Sequence, residues 1–162
     1  MHEYPTSEQL SEIAISSARV VRLFGFTPKV AFLSHSTFGQ PITSRTKHIK
    51  EAVDILQDKK VDFQFDGDMQ PDVALNEEYK ELYPFSGIVG NANILIMPGQ
   101  HSAAISFKMM KTLGGAKVIG PLLIGLGEPI EIAPLRSSTS DIINLASVAA
   151  YSAGIINYGK KN

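Results

Sequence analysis

The chain has 162 residues, 15 Lys and Arg against 16 Asp and Glu, and no cysteine. That balance leaves no electrostatic footprint for nucleic acid or an anionic membrane surface, and the lack of thiols excludes disulfides, thiolate catalysis and cysteine-ligated metals. An apolar share of 44% suffices for one sizeable core, so the expectation is a single domain or one large piece of a longer chain.

Met1-His2-Glu3-Tyr4-Pro5 lacks the charged-then-apolar pattern of a signal peptide. Thr6 and Gln9 have capping-box spacing. The helix they open carries Leu10, Ile13, Ala14, Ala18, Val21 and Phe24 on one face until Gly25 ends it. A buried strand over residues 29–33 then breaks into Ser34-His35-Ser36-Thr37-Phe38-Gly39. After Pro41 a second helix begins near Thr43 or Ser44, with Ile49, Ala52, Val53 and Leu56 as its apolar stripe.

Residues 61–65 read as a second strand leading into Asp66-Gly67-Asp68-Met69-Gln70-Pro71. Asp72 is placed to cap a third helix carrying Leu75, Tyr79 and Leu82, which Pro84 terminates. A third strand covers residues 94–97. From about His101 a fourth helix turns Ala103, Phe107 and Met110 inward and stops at Gly114-Gly115. Residues 118–124 are expected to be a strand, at an edge or bulge because of Pro121. Ser138 and Asp141 open a closing helix with Ile142, Leu145, Ala146, Ala149 and Ala153 on its apolar face. Its apolar run, residues 142–156, contains Asn144, Ser147 and Ser152 and is too short to span a bilayer, so a cytoplasmic protein is expected. Alternating strands and helices predict an α/β fold with a mostly parallel sheet and helices on both faces. A first helix with no strand of its own implies further chain upstream.

Three places carry chemistry. In the 34–39 loop, Ser34, Ser36 and Thr37 supply hydroxyl donors and Gly39 allows close backbone approach, which suits an anion beyond a parallel strand. An ordinary strand-to-helix turn uses the same residues. Asp66 and Asp68 could do acid–base work or hold a metal, although a glycine turn and a helix cap account for most of that segment and leave only Gln70 unexplained. Asp141 could be a general base and Arg136 a bidentate phosphate ligand; the competing readings are a capping-box carboxylate and a solvated surface charge. The four histidines, His2, His35, His48 and His101, have no metal-ligand spacing. No G-x-G-x-x-G follows the first strand and no Walker loop is present.

Five segments, in order, give a resemblance. Residues 30–39, 66–75, 90–98 and 119–126, with Asp141-Ile142-Ile143-Asn144, are similar to the carboxyl-terminal half of the phosphate acetyl/butyryltransferase family from about residue 7 to the late 150s. The resemblance implies an isocitrate/isopropylmalate dehydrogenase-like fold of two α/β subdomains, of which this chain supplies the carboxyl-terminal portion. Where active members tend to have lysine before the loop glycine, this chain has Phe38. Ser36-x-Phe38-Gly39, Asp68-Met69-Gln70 and Gln100-His101-Ser102-Ala103-Ala104-Ile105-Ser106 resemble the acetyltransferase-like domain fused behind large bacterial NADP-dependent malic enzymes, which convert malate to pyruvate and CO2.

That branch implies an acetyl-CoA-binding regulatory and assembly domain in a homo-oligomer, with NADP and a divalent metal held in the malic enzyme region and no cofactor in this piece. Ser34, Ser36, Thr37, Gly39, Gln70 and Arg136 are then the expected ligand contacts. With Asp141 as anchor, the places of the family's Ser-Arg pair hold Pro134 and Leu135. Losing such a donor or cation costs about 3–4 kcal/mol of transition-state stabilisation each. The alternative is a working acyltransferase in which Asp141 takes the CoA thiol proton and the 34–39 loop holds phosphate.

Overall fold

Three parallel strands, Lys29–Leu33 (β1), Gln64–Met69 (β2) and Ile94–Ile96 (β3), form one sheet in the order β2-β1-β3. The computed structural model describes residues 3–115 and 118–159, with side chains for all of these except Lys80 and 155–159. The helices are Ser7–Leu23 (α1), Ser44–Asp58 (α2), Pro71–Leu75 (α3), Glu77–Lys80 (α4), Gln100–Leu113 (α5) and Thr139–Gly159 (α6). The chain divides into two units, Met1–Lys108 and Met109–Asn162, and each is described by itself.

In the first unit β1 is central, and its two-residue period sends side chains into two separate cores. Val30 and Phe32 pack with Leu10, Ala14 and Ala18 of α1 and Ile49, Ala52 and Leu56 of α2. Ala31 and Leu33 face the other way, onto Met69, Val73 and Ala74, Ile88 and Ala92. Helices thus cover both faces of the sheet. Helix α1 has the Thr6–Gln9 capping box, and its end is a Schellman motif: Gly25 N–H bonds the Arg22 carbonyl, Phe26 N–H bonds that of Val21, and Gly25 sits at φ +82°. Its buried stripe is narrower than expected. Ser7 and Ser11 are buried, whereas Ile13 and Phe24 are exposed.

Two surface pairs tie α1 down: Arg22 to Asp62 at 2.8 Å and Lys59 to Glu12. Hydrogen bonds from these cations hold both carboxyl groups below their ordinary range. A lowered folded value contributes stability above the unfolded value and loses it as pH falls through the folded one. The increments are small and salt-screened, because both carboxylates are exposed. Acid titration of thermal stability in low salt checks this: the Arg22→Gln, Lys59→Gln double variant should lose less than the wild type between about pH 5 and pH 2.

Four elements differ from the sequence reading. Strand β2 starts at Gln64, not residue 61, and runs through Asp66-Gly67-Asp68 to Met69. Val61 and Phe63 fill the core edge from a loop, and the turn-like residues take the pairing with β1. The expected long third helix is two short ones. Asn76, extended at φ −123°, ψ 119°, ends α3 and accepts the Glu78 N–H of α4. Asp72 lies inside the first turn of α3, bonding the Val73 amide, while Gln70 holds the N-cap position. On α5, Phe107 and Met110 are exposed, not inward. Residues 118–124 form no strand. A single antiparallel bridge joins Leu122 to Glu131, since Pro121 has no N–H to extend the ladder.

Candidate functional site

At the carboxyl end of β1, where the strand gives way to the hydroxyl loop, the neighbouring β2 carries a residue out of register. Phe32 pairs with Gly67 and Leu33 with Met69, so Asp68 is skipped. Such a bulge re-aims the side chain it displaces. The Asp68 carboxylate, 3% exposed, sits under the 34–39 loop. The buried Ser36 hydroxyl donates to its Oδ2, and the Gly39 N–H to its Oδ1 at 3.0 Å. Phe38 N–H donates to the Asp68 carbonyl at 2.7 Å, and Ser34 N–H to that of Met69 at 2.9 Å. Thr37 Oγ1 accepts the Gln70 amide at 3.3 Å. No ammonium or guanidinium pairs with Asp68 among the described residues.

Two donors expected to meet an external anion, the Ser36 hydroxyl and the Gly39 amide, are therefore engaged by an internal one. Ser34 is half-buried and its Oγ lies 3.2 Å from Ser36 Oγ; Gln70 is exposed. Phe38 adopts φ +49°, and its ring packs on Tyr83 and Phe85 at centroid distances of 5.3 and 4.9 Å. Asp66 is a framework acceptor for the Gly67 and Gly87 amides at 2.8 and 2.7 Å. The paired carboxylates thus hold β2 and its flanking loops together. Sequence reasoning missed the role of Asp68, because a register skip leaves no periodic signal.

In the second unit, Asp141 closes the capping box of α6. Its Oδ2 accepts the Ser138 amide at 2.9 Å and hydroxyl at 2.8 Å, while Asp141 N–H donates back to Ser138 Oγ. A cleft of about 80 Å3 brings Asp141 together with Arg136, Ser137, Pro134, Lys111 and Asn144. Leu135 is fully exposed and takes no part. The sequence register put Pro134 and Leu135 where a serine and an arginine would act. In the structure Pro134 does line the cleft, and Arg136 and Ser137 line it too, beside the carboxylate. A guanidinium, a hydroxyl and a carboxylate in one cleft can bind a phosphate and accept a proton.

The chain matches the family model described as phosphate acetyl/butaryl transferase over residues 1–150. It is 49% identical over 154 residues to the NADP-dependent malic enzyme of Rhizobium meliloti, covering 95% of this chain and 20% of that protein. To the phosphate acetyltransferase of Clostridium acetobutylicum it is 36% identical over 151 residues, covering 92% of this chain and 45% of that one. A crystal structure of a phosphotransacetylase from Streptococcus pyogenes matches with a TM-score of 0.89 at 34% identity, over 94% of this chain and 47% of that chain. The chain thus spans about a fifth of the length of the malic enzymes it resembles. No helix among the described residues is long and apolar enough to cross a membrane.

Proposed function

We propose that this chain, which belongs to the phosphate acetyl/butaryl transferase family, is the acetyl-CoA-responsive regulatory module of a longer NADP-dependent malic enzyme. The observation that carries this reading is the 49% identity to a malic enzyme along a fifth of that protein's length. Two features of the loop support it: the Asp68 side chain occupies the Ser36 hydroxyl and the Gly39 amide, two donors expected for phosphate, and Phe38 packs into an aromatic cluster where active relatives tend to carry lysine. On this reading NADP and a divalent metal are held by the malate-oxidising region. Of the expected effector contacts, Ser34 and Gln70 remain accessible in the first unit and, separately, Arg136 in the second. Exposed Ile142, Ile143 and Tyr151 on α6 suit assembly with a second copy, which sedimentation of the chain would reveal.

The test is malate oxidation by the complete polypeptide that carries this domain. Saturating acetyl-CoA should change its apparent malate affinity or rate by about 5-fold to 150-fold, the span of ordinary allosteric coupling. No change at saturation would end the proposal. Arg136→Gln should blunt the response without altering the basal rate.

The cleft of Arg136, Ser137 and Asp141 favours a second reading, an active acyltransferase. The CoA sulfur would bond to the acyl carbon as the carbon–phosphate-oxygen bond breaks. Asp141 would receive the thiol proton and Arg136 would neutralise the departing phosphate. Acetyl-CoA formation from acetyl phosphate and CoA separates the two. A rate near background that Asp141→Asn leaves unchanged supports the regulator; a fall of about a hundredfold or more on Asp141→Asn installs the enzyme.

A further inference from the structure

In the first unit a cavity of about 600 Å3 opens at the carboxyl end of β3. Its walls are the first turn and a half of α2, the β3–α5 junction and the segment that leads into α1. That volume is in the range that encloses a metabolite. The position is the crevice beside neighbouring β1 and β3, from which the chain departs into α2 and α5 respectively. Ligands of parallel α/β sheets gather at such carboxyl-terminal crevices.

Three basic side chains and one acidic one, Glu3, stand there among hydroxyl groups. Arg45 and His48 come from α2 and His101 from α5, fifty-odd residues apart in sequence and joined only by the fold. The Arg45 guanidinium lies 6.0 Å from the centroid of the Tyr4 ring, which limits its freedom. His101 Nε2 is 2.8 Å from Glu3 Oε1, and His48 Nδ1 is 3.8 Å from Glu51 Oε2. Glu3 is the carboxylate of the lining, and its backbone carbonyl accepts the Gln100 amide at 3.1 Å, fixing the start of α5. Two helices begin at this cavity, and their positive ends add to the field of Arg45.

We propose that this cavity binds a phosphorylated small molecule, its phosphoryl group held by Arg45 and His101 at the first turns of α2 and α5. A guanidinium gives charge-assisted, bidentate donors for phosphate oxygens, and an imidazole N–H adds a directional one. Glu3 opposes the ligand and gates its hold on His101. This site lies within Met1–Lys108 and does not depend on the acetyl-CoA reading.

Calorimetric titration of the 162-residue chain in low salt tests it, with inorganic pyrophosphate and CoA as separate probes. Saturable binding of at least one probe is expected. Arg45→Gln should weaken it about tenfold or more, and Arg45→Lys should recover part of the loss. Glu3→Gln should tighten binding severalfold, which a purely structural role for Glu3 would not do. Lys50→Gln, which removes the same charge from α2 outside the cavity, should leave it unchanged. CoA that competes with pyrophosphate identifies an ester of the CoA type; pyrophosphate binding alone identifies a free phosphorylated metabolite. Absence of saturable binding by both probes up to about 10 mM overturns the proposal. So does binding that Arg45→Gln and Glu3→Gln both leave unaltered in variants that melt like the wild type. Neither failure bears on whether acetyl-CoA alters malate oxidation in the complete polypeptide.

Discussion

Gly67→Ala is expected to cost the chain roughly 4–5 kcal/mol and to leave little folded protein at ambient temperature. A Cβ at this position would lie 2.7 Å from Phe32 Cβ and 2.8 Å from the Phe32 carbonyl oxygen. Neither neighbour can give way: Phe32 is 1% exposed and β1 is paired on both sides. The backbone at φ +157° also lies where L side chains are rarely found. Overpacking of about 1–3 kcal/mol and a strained conformation of similar size then add, because the two have different origins. Gly25→Ala is the control. It also has positive φ, at +82°, but nothing lies within 4 Å of its added Cβ, so about 1 kcal/mol is expected. Urea unfolding followed by circular dichroism measures both, and a Gly67→Ala transition within about 1 kcal/mol of wild type would refute the close approach.

The second large effect belongs to Asp68. Asp68→Ala leaves the buried Ser36 hydroxyl and the half-buried Gly39 amide without their acceptor, and about 3 kcal/mol of lost stability is expected. Asp68→Asn should cost only about 1 kcal/mol. Its carbonyl can still accept from Gly39, and its NH2 can donate to Ser36, whose hydroxyl then turns to Ser34 Oγ, 3.2 Å away. Equal losses for the two variants would mean that the carboxylate does not organise the loop. The Ser36→Ala, Asp68→Ala double variant should lose less than the sum of its parts, because no hydroxyl is then stranded. Emptying the loop should also let millimolar phosphate raise the melting temperature of Asp68→Ala more than that of wild type.

Much of the fold could be read from the residues alone, and the reasons are local. Thr6, Thr43 and Ser138 cap helices through bonds spanning three residues, and Gly25 ends one by its own conformational freedom. Strand β1 is apolar from Val30 to Leu33 because both its faces are covered there. What stayed hidden depends on residues distant in sequence. The start of β2 is set by its register on β1, not by the alternation of Val61, Phe63 and Phe65. Asn76 divides the third helix by taking an extended conformation that its composition does not announce. The same distinction holds for the sites. The 34–39 loop and the Asp141 segment stand out by composition and spacing, whereas the partnership of Asp68 with Ser36 spans 32 residues. Arg136 was legible as a phosphate ligand only by its residue type; its place in the cleft comes from the turn before α6.

Asp68 amounts to a tethered competitor for its own loop. A group joined by a short stretch of chain acts at an effective concentration of millimolar or above, and a folded strand holds it more firmly than a flexible linker would. Orthophosphate at ordinary cellular levels would have to evict that resident carboxylate before touching Ser36 or Gly39. On the effector reading proposed above, such a loop would ignore the background anion and leave discrimination to contacts with the remainder of a larger molecule.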